Sequence, residues 1–277
     1  VNHYTRYNKT VMPDGLRIIS ESIPTMRSIS IGLWVDVGSR DEPRGIEGVS
    51  HFIEHMVFKG TTARNAQQIA AYLESVGGIL NAFTSREQTC FYAKIIDEHL
   101  PRAVDVIADL VFNGVIDKDD IEKEKNIVID EINEVNDTPS DLIHDIFAQT
   151  IFGKHPLGKP IMGSVDSVRG LTREKIIGYL KANYQPKRMI VAASGNLKHA
   201  ELVRLVKKYI PNRPNGELAT PKREVPKLKT GFSVTYRKTN QTHICIGAPA
   251  IKFTHRGRGP LLLLNSIMGG GMSSKLF

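Results

Sequence analysis

Residues 46–58, IEGVSHFIEHMVF, decide how the rest of the chain is read. Ile46, Val49, Phe52, Ile53, Met56 and Val57 recur at the three- and four-residue interval of a helix with one buried face. On the same helix His51, Glu54 and His55 stand at i, i+3 and i+4, within an arc of about 100°, so two imidazoles and a carboxylate share a face. That face suits a metal. Two imidazoles and one further carboxylate would leave a tetrahedral Zn²⁺ with an open fourth position for water. Glu54, not needed as a ligand, could take the water's proton and deliver it to a leaving amine. The plain alternative is a helix with ordinary surface histidines. With 9 His in the chain, the chance of His-x-x-Glu-His arising somewhere at random is roughly one or two in a hundred, so the context has to decide.

Working outward, residues 10–37 alternate apolar and polar around a Pro13-Asp14-Gly15 turn, as two antiparallel strands would: Leu16, Ile18 and Ser20, then Ile29, Ile31, Leu33 and Val35. After the 46–58 helix the pattern predicts a helix over 65–76, a strand pair about Gly77-Gly78, and a strand over 89–96. Helices are expected at 101–111, 119–135, 141–151, 172–183 and 199–209, with a strand at 189–194. Strands and helices cluster instead of alternating strictly. The fold class is therefore α+β, a largely antiparallel sheet covered by helices.

Four prolines and many charges without periodicity over 211–229 mark residues 213–229 as a linker, giving a zinc-binding domain over 1–212 and a partial second domain over 230–277. In that last part a strand-like 242–248 and a helix-like 259–268 loosely repeat the order of 28–37 and 46–58, without His or Glu in the helix. It is too short to close a core, and the chain is expected to be a fragment of a longer protein.

The net charge of +8 is concentrated at one end. Residues 213–277 hold 11 of the 37 Lys+Arg against only Glu217 and Glu224, leaving 26 basic and 27 acidic residues in 1–212. No aromatic-basic platform accompanies the basic stretch, so nucleic acid is not an expected partner. Nor is a membrane, since no apolar run reaches spanning length. Cys90 and Cys245 lie far apart in apolar runs and read as buried thiols rather than a disulfide framework.

A third metal ligand is required. In the 119–135 helix, Glu124 and Glu131 are seven apart, nearly on one face and about 10 Å apart along the axis, so Glu131 could bind metal with Glu124 behind it. A solvated acidic face would look the same from the spacing alone, and the two readings stay open at this point.

The chain resembles the pitrilysin-type zinc metallopeptidases, and within them the branch of mitochondrial processing peptidase β-subunits and their bacterial relatives. The resemblance rests on DGLR at 14–17, GSR at 38–40, HFIEHMVFKGT at 51–61, NAFTSRE at 81–87, HPLG at 155–158 and GGGMSS at 269–274, and it covers essentially the whole chain. It implies His51, His55 and Glu131 as zinc ligands, Glu54 as the base acting on the zinc-bound water, and Glu124 in a supporting catalytic role. It also implies that the strand around Asn81, Ala82 and Phe83 pairs with an extended peptide substrate, and that Phe58 lines a pocket beside the scissile bond. The function implied is a zinc endopeptidase acting on unfolded peptides or presequences, working as a homodimer or as a heterodimer with a related subunit. The compartment implied is the bacterial cytoplasm, with the mitochondrial matrix as alternative. The alternative function is a non-catalytic structural subunit, or an inactive fragment of such a peptidase.

Overall fold

The computed structural model describes residues 7–212 and 223–277. The chain divides into two compact units, Val1–Tyr236 and Arg237–Phe277. The first is built on a six-stranded sheet of β1 (Tyr7–Val11), β2 (Arg17–Ser22), β3 (Ser28–Val35), β4 (Ile79–Thr84), β5 (Thr89–Ile96) and β6 (Met189–Gly195), in the order β1-β2-β6-β3-β5-β4. Among the described residues only β2 and β6 pair in parallel; the other neighbours are antiparallel. The expected α+β class is borne out.

Alternation along the central strands sorts the side chains between two faces. Ile29, Ile31, Leu33 and Val35 of β3 are buried on one face, with Phe91, Ala93 and Ile95 of β5 and Val191 and Ala193 of β6 in register beside them. Against that face pack helices including α1 (Val49–Val57), α2 (Ala66–Glu74), α3 (Leu100–Asn113) and α8 (His199–Tyr209). Two further helices, α4 (Lys118–Asp137) and α5 (Pro139–Phe152), follow α3, and α6 (Val165–Arg169) and α7 (Arg173–Asn183) precede β6. The other face carries Ser30, Trp34, Phe83, Tyr92 and Lys94; Phe83 meets Trp34 edge-on at 5.5 Å between ring centroids.

Three expectations are corrected. The Pro13-Asp14-Gly15 turn does close a hairpin, with Gly15 at φ 92°, but it joins β1 to β2. The strand bearing Ile29 to Val35 is separated from β2 by β6, which arrives from far along the chain. Alternation identifies a strand but not its neighbour. Gly77-Gly78 is not a turn between strands. Gly77, at φ 71°, ends α2, with Gly77 N–H donating to Glu74 O at 2.9 Å and Gly78 N–H to Leu73 O at 2.9 Å, the bonding that releases a chain from a helix. The strands meeting nearby are β4 and β5, turned at residues 85–88 by Ser85 N–H on Gln88 O.

In the second unit the expected helix forms as α9 (Arg258–Gly269), but residues 242–248 form no strand, and Cys245 is not buried. A strand needs a partner to satisfy its backbone, and among the described residues of this unit there is none. None of them is buried either. Residues 213–222 of the expected linker lie outside the described residues.

Candidate metal centre

The centre is carried by α1 and α4. In α1, Val49, Phe52, Ile53, Met56 and Val57 are buried, which turns His51, Glu54 and His55 together to the opposite side. The helix has no side-chain cap of its own, because its N-cap residue, Gly48 at φ 91°, has no side chain. Glu42 supplies the cap from the preceding loop, accepting from Gly48 N–H at 2.7 Å and Ser50 N–H at 2.8 Å. Ser50 Oγ also meets Tyr179 OH at 2.9 Å, fixing the first turn to α7. Helix α4 starts at Asp117, whose side chain accepts from Asp119 N–H at 2.8 Å. Its buried residues are Ile121, Glu124, Val128 and Ile132, so Glu124 occupies a slot on the apolar stripe, 2% exposed.

These two helices bring His51, His55 and Glu131 together. Among the described residues they form the one group of three His, Cys, Asp or Glu whose ligand atoms all lie within 4.8 Å of one another. Glu131 Oε2 is 3.9 Å from His51 Nε2 and 3.7 Å from His55 Nε2. Both gaps are too long for hydrogen bonds. They are close to the roughly 3.3–3.6 Å that separates ligand atoms sharing one tetrahedral Zn²⁺. His51 Nδ1 is buried without a hydrogen-bond partner, and Nε2 is the ring nitrogen that faces Glu131. The donor set and its spacing fit zinc.

His55 bridges the two glutamates that the sequence places seven apart. Its Nδ1 meets Glu124 Oε1 at 2.7 Å while its Nε2 faces Glu131. The second Glu124 oxygen meets Lys59 Nζ at 2.5 Å. Glu54 lies beside the group, and Thr84 Oγ1 donates to its Oε2 at 2.6 Å.

Electrostatics separates the roles. Burial, helped by the neighbouring His55, pushes His51 down to about 4, which keeps the ring neutral as a ligand must be. Burial also pulls on His55, but the Glu124 hydrogen bond and the charges of Glu131, Glu124 and Glu54 outweigh it and the pKa rises. In a centre this rich in carboxylates a proton is held where a cation could be. Burial raises Glu54 against the opposing Thr84 hydrogen bond, in the direction that suits a general base. Burial works on Glu124 too, but His55 and Lys59 prevail and hold it below the usual carboxylate value.

The other residues singled out in the sequence sit close by in the fold. Asn81, Ala82 and Phe83 are on β4, at the edge of the sheet, whose only strand partner among the described residues is β5. Ala82 is turned to the helices, Phe83 is 38% exposed on the opposite face, and Asn81 Oδ1 accepts from Ala82 N–H at 2.8 Å. Phe58 follows α1 and is half-buried against the core. Three contributors had gone unassigned. Lys59 had a signal, a cation four residues after His55 and just past the end of α1. Thr84 and Glu42 had none, since their partners come through the tertiary fold.

The family profile described as insulinase (peptidase family M16) matches residues 17–165, and that of the peptidase M16 inactive domain matches residues 170–277. An uncharacterized zinc protease of Streptomyces coelicolor is 38% identical over 97% of this chain and 60% of its own length. A probable mitochondrial-processing peptidase subunit beta of Arabidopsis thaliana is 40% identical over 72% of this chain and 38% of its own. The crystal structure of a protease from Helicobacter pylori superposes with a TM-score of 0.75 at 25% identity, covering 80% of this chain and 55% of that one. The chain thus spans about 60% of the length of curated relatives such as the Streptomyces protein.

Proposed function

Because the chain belongs to the insulinase family, peptidase family M16, we propose that the protein is a zinc-dependent endopeptidase that hydrolyses peptide bonds in extended, unfolded peptides or presequences. The observation that carries this reading is the convergence of His51, His55 and Glu131 with Glu54 beside them. His51 and His55 through Nε2, and Glu131 through Oε2, would hold the ion. When bound, zinc supplies a Lewis acid that polarises the scissile carbonyl and makes water a better nucleophile near neutral pH.

The remaining work falls to the chain. Glu54 takes a proton from the attacking water and returns it to the leaving amine. Glu124 fixes the His55 ring by accepting from Nδ1, which leaves Nε2 free to bind metal. The edge strand β4, through the backbone of Asn81, Ala82 and Phe83, pairs with the substrate backbone, which favours extended chains over any one sequence. Phe58 lines a side-chain pocket beside the cleaved bond. Relatives named zinc proteases support the metal, and the relative named as a processing peptidase subunit supports presequences as a substrate class. We take residues 1–212 as the catalytic domain, 213–229 as a linker and 230–277 as the start of a second homologous domain. The reading also favours a bacterial cytoplasmic enzyme paired with a second copy or a related subunit. Among the described residues no helix is long and apolar enough to cross a membrane.

The test is Glu54→Gln in the full-length protein. Gln keeps the size of the side chain and loses the ability to accept a proton. Zinc content should be unchanged and peptide hydrolysis should drop by at least the roughly 10²- to 10⁴-fold typical of general acid-base groups. A zinc-loaded variant cleaving at the wild-type rate removes Glu54 from the reaction. A wild-type protein that binds zinc and cleaves no peptide favours a structural subunit.

A further inference from the structure

We propose that Thr84 is a positioning residue for hydrolysis at this centre: its hydroxyl holds the Glu54 carboxylate in place and joins the base to the end of the edge strand β4. The inference rests on the reading of Glu54 as the base.

Thr84 is the last residue of β4 and is registered opposite Thr89 of β5. Thr89 is itself buried and donates its hydroxyl to Val37 O at 3.0 Å, so the backbone carrying Thr84 is anchored from the side. By the alternation of the strand, Thr84 shares the helix-facing side with Leu80 and Ala82. Its Oγ1 reaches Glu54 Oε2 at 2.6 Å and Ser50 O at 3.5 Å. A hydroxyl has one proton to give. The much shorter contact, to a carboxylate oxygen, takes it. That commitment has a chemical consequence. With Oε2 accepting from Thr84, the carboxylate cannot swing freely about its last torsion, and Oε1 is left as the oxygen that accepts and returns the proton.

The same bond sets a register. A peptide added to the edge of β4 runs past Asn81, Ala82 and Phe83 toward Thr84, so the residue where pairing ends is the residue that touches the base. Substrate backbone and proton acceptor are thus referred to one point on the chain. A loosely held base at the end of a precise strand would lose the advantage of that alignment.

The experiment compares Thr84→Val and Thr84→Ser in the zinc-loaded full-length protein, with Glu54→Gln measured alongside. Val keeps the shape and removes the hydroxyl; Ser keeps the hydroxyl. Thr84→Val should lower kcat by roughly 10- to 100-fold, the value of a hydrogen bond to a charged group, with KM within about threefold and zinc content unchanged. Thr84→Ser should recover kcat to within about threefold of wild type. The proposal is overturned if Thr84→Val turns over normally, if Thr84→Ser is as impaired as Thr84→Val, or if Thr84→Val loses zinc along with activity. Failure of the underlying reading has a separate signature, a Glu54→Gln protein that cleaves at the wild-type rate.

Discussion

Glu124 is a carboxylate on the buried stripe of α4, where the neighbouring slots hold Ile121, Val128 and Ile132. A lone charge there would be costly. It is sustained by His55 on one oxygen and Lys59 on the other. Replacing it with Gln should leave the fold intact and weaken zinc binding by roughly 10- to 100-fold, as for other groups that orient a ligand; competition with a chelating indicator reads this directly. Zinc affinity equal to wild type would make the contact incidental. In the sequence Glu124 is singled out by its seven-residue spacing from Glu131 and by the family resemblance. Spacing left Glu131 undecided, since a solvated acidic face repeats in the same way, and the decision came from His55 facing both glutamates at once. Thr84 was out of reach of any pattern: a threonine ending a strand is ordinary until α1 is laid against it.

The helix α1 depends on two features of the loop before it. Gly48 sits at φ 91°, and a Cβ there would meet Met162 O at 2.3 Å, so Gly48→Ala carries both a strained backbone and a clash with main chain. It should destabilise the protein by more than ~1 kcal/mol and lower zinc affinity, measured by thermal unfolding and metal titration; a neutral effect on both would show that the first turn does not position His51. Glu42 closes the same end of the helix. Burial pushes its carboxyl up to about 7 against the lowering effect of the Ser50 and Gly48 amides and the Ser50 hydroxyl, with Glu47 adding to the rise. Tyr179, from α7, and Tyr184 just after it are further titratable groups that feel its charge. An acid raised in the folded state binds an extra proton there, so this stability is fully present below about pH 4.5 and is lost as the pH rises through about 7. The stability of wild type relative to Glu42→Gln should therefore decline between pH 5 and 8, by at most ~1.4 kcal/mol per pH unit. Parallel unfolding profiles over that range would exclude an elevated Glu42. The elements themselves were readable from apolar spacing, and α8 spans the expected residues 199–209. Their caps were less so, because Glu42 acts across a loop and Gly77-Gly78 reads equally well as a hairpin turn or a helix end.

Across the molecule, topology was the least legible feature. Residues 28–35 announce a strand by alternation, yet their neighbours β5 and β6 lie far along the chain, and a period of two contains no information about which strand comes alongside. The motifs around His51, Asn81 and Gly269 pointed to the family, and the match over residues 17–165 bears that out. What the fold adds is that α1 and α4, distant in sequence, meet at this centre. Zinc bound to the folded state alone should then stabilise it, by ~4 kcal/mol when free zinc is about 1,000 times its dissociation constant, raising Tm by about 10 °C over chelated protein. Coincident melting curves with and without chelator would deny that link. The central claim is narrower, that His51, His55 and Glu131 hold the metal. Elemental analysis of wild type, His51→Ala and Glu131→Ala after dialysis against dilute chelator tests it most directly. About one zinc per chain in the wild type and its loss from both variants is the predicted result; a full equivalent retained by both His51→Ala and Glu131→Ala would contradict it.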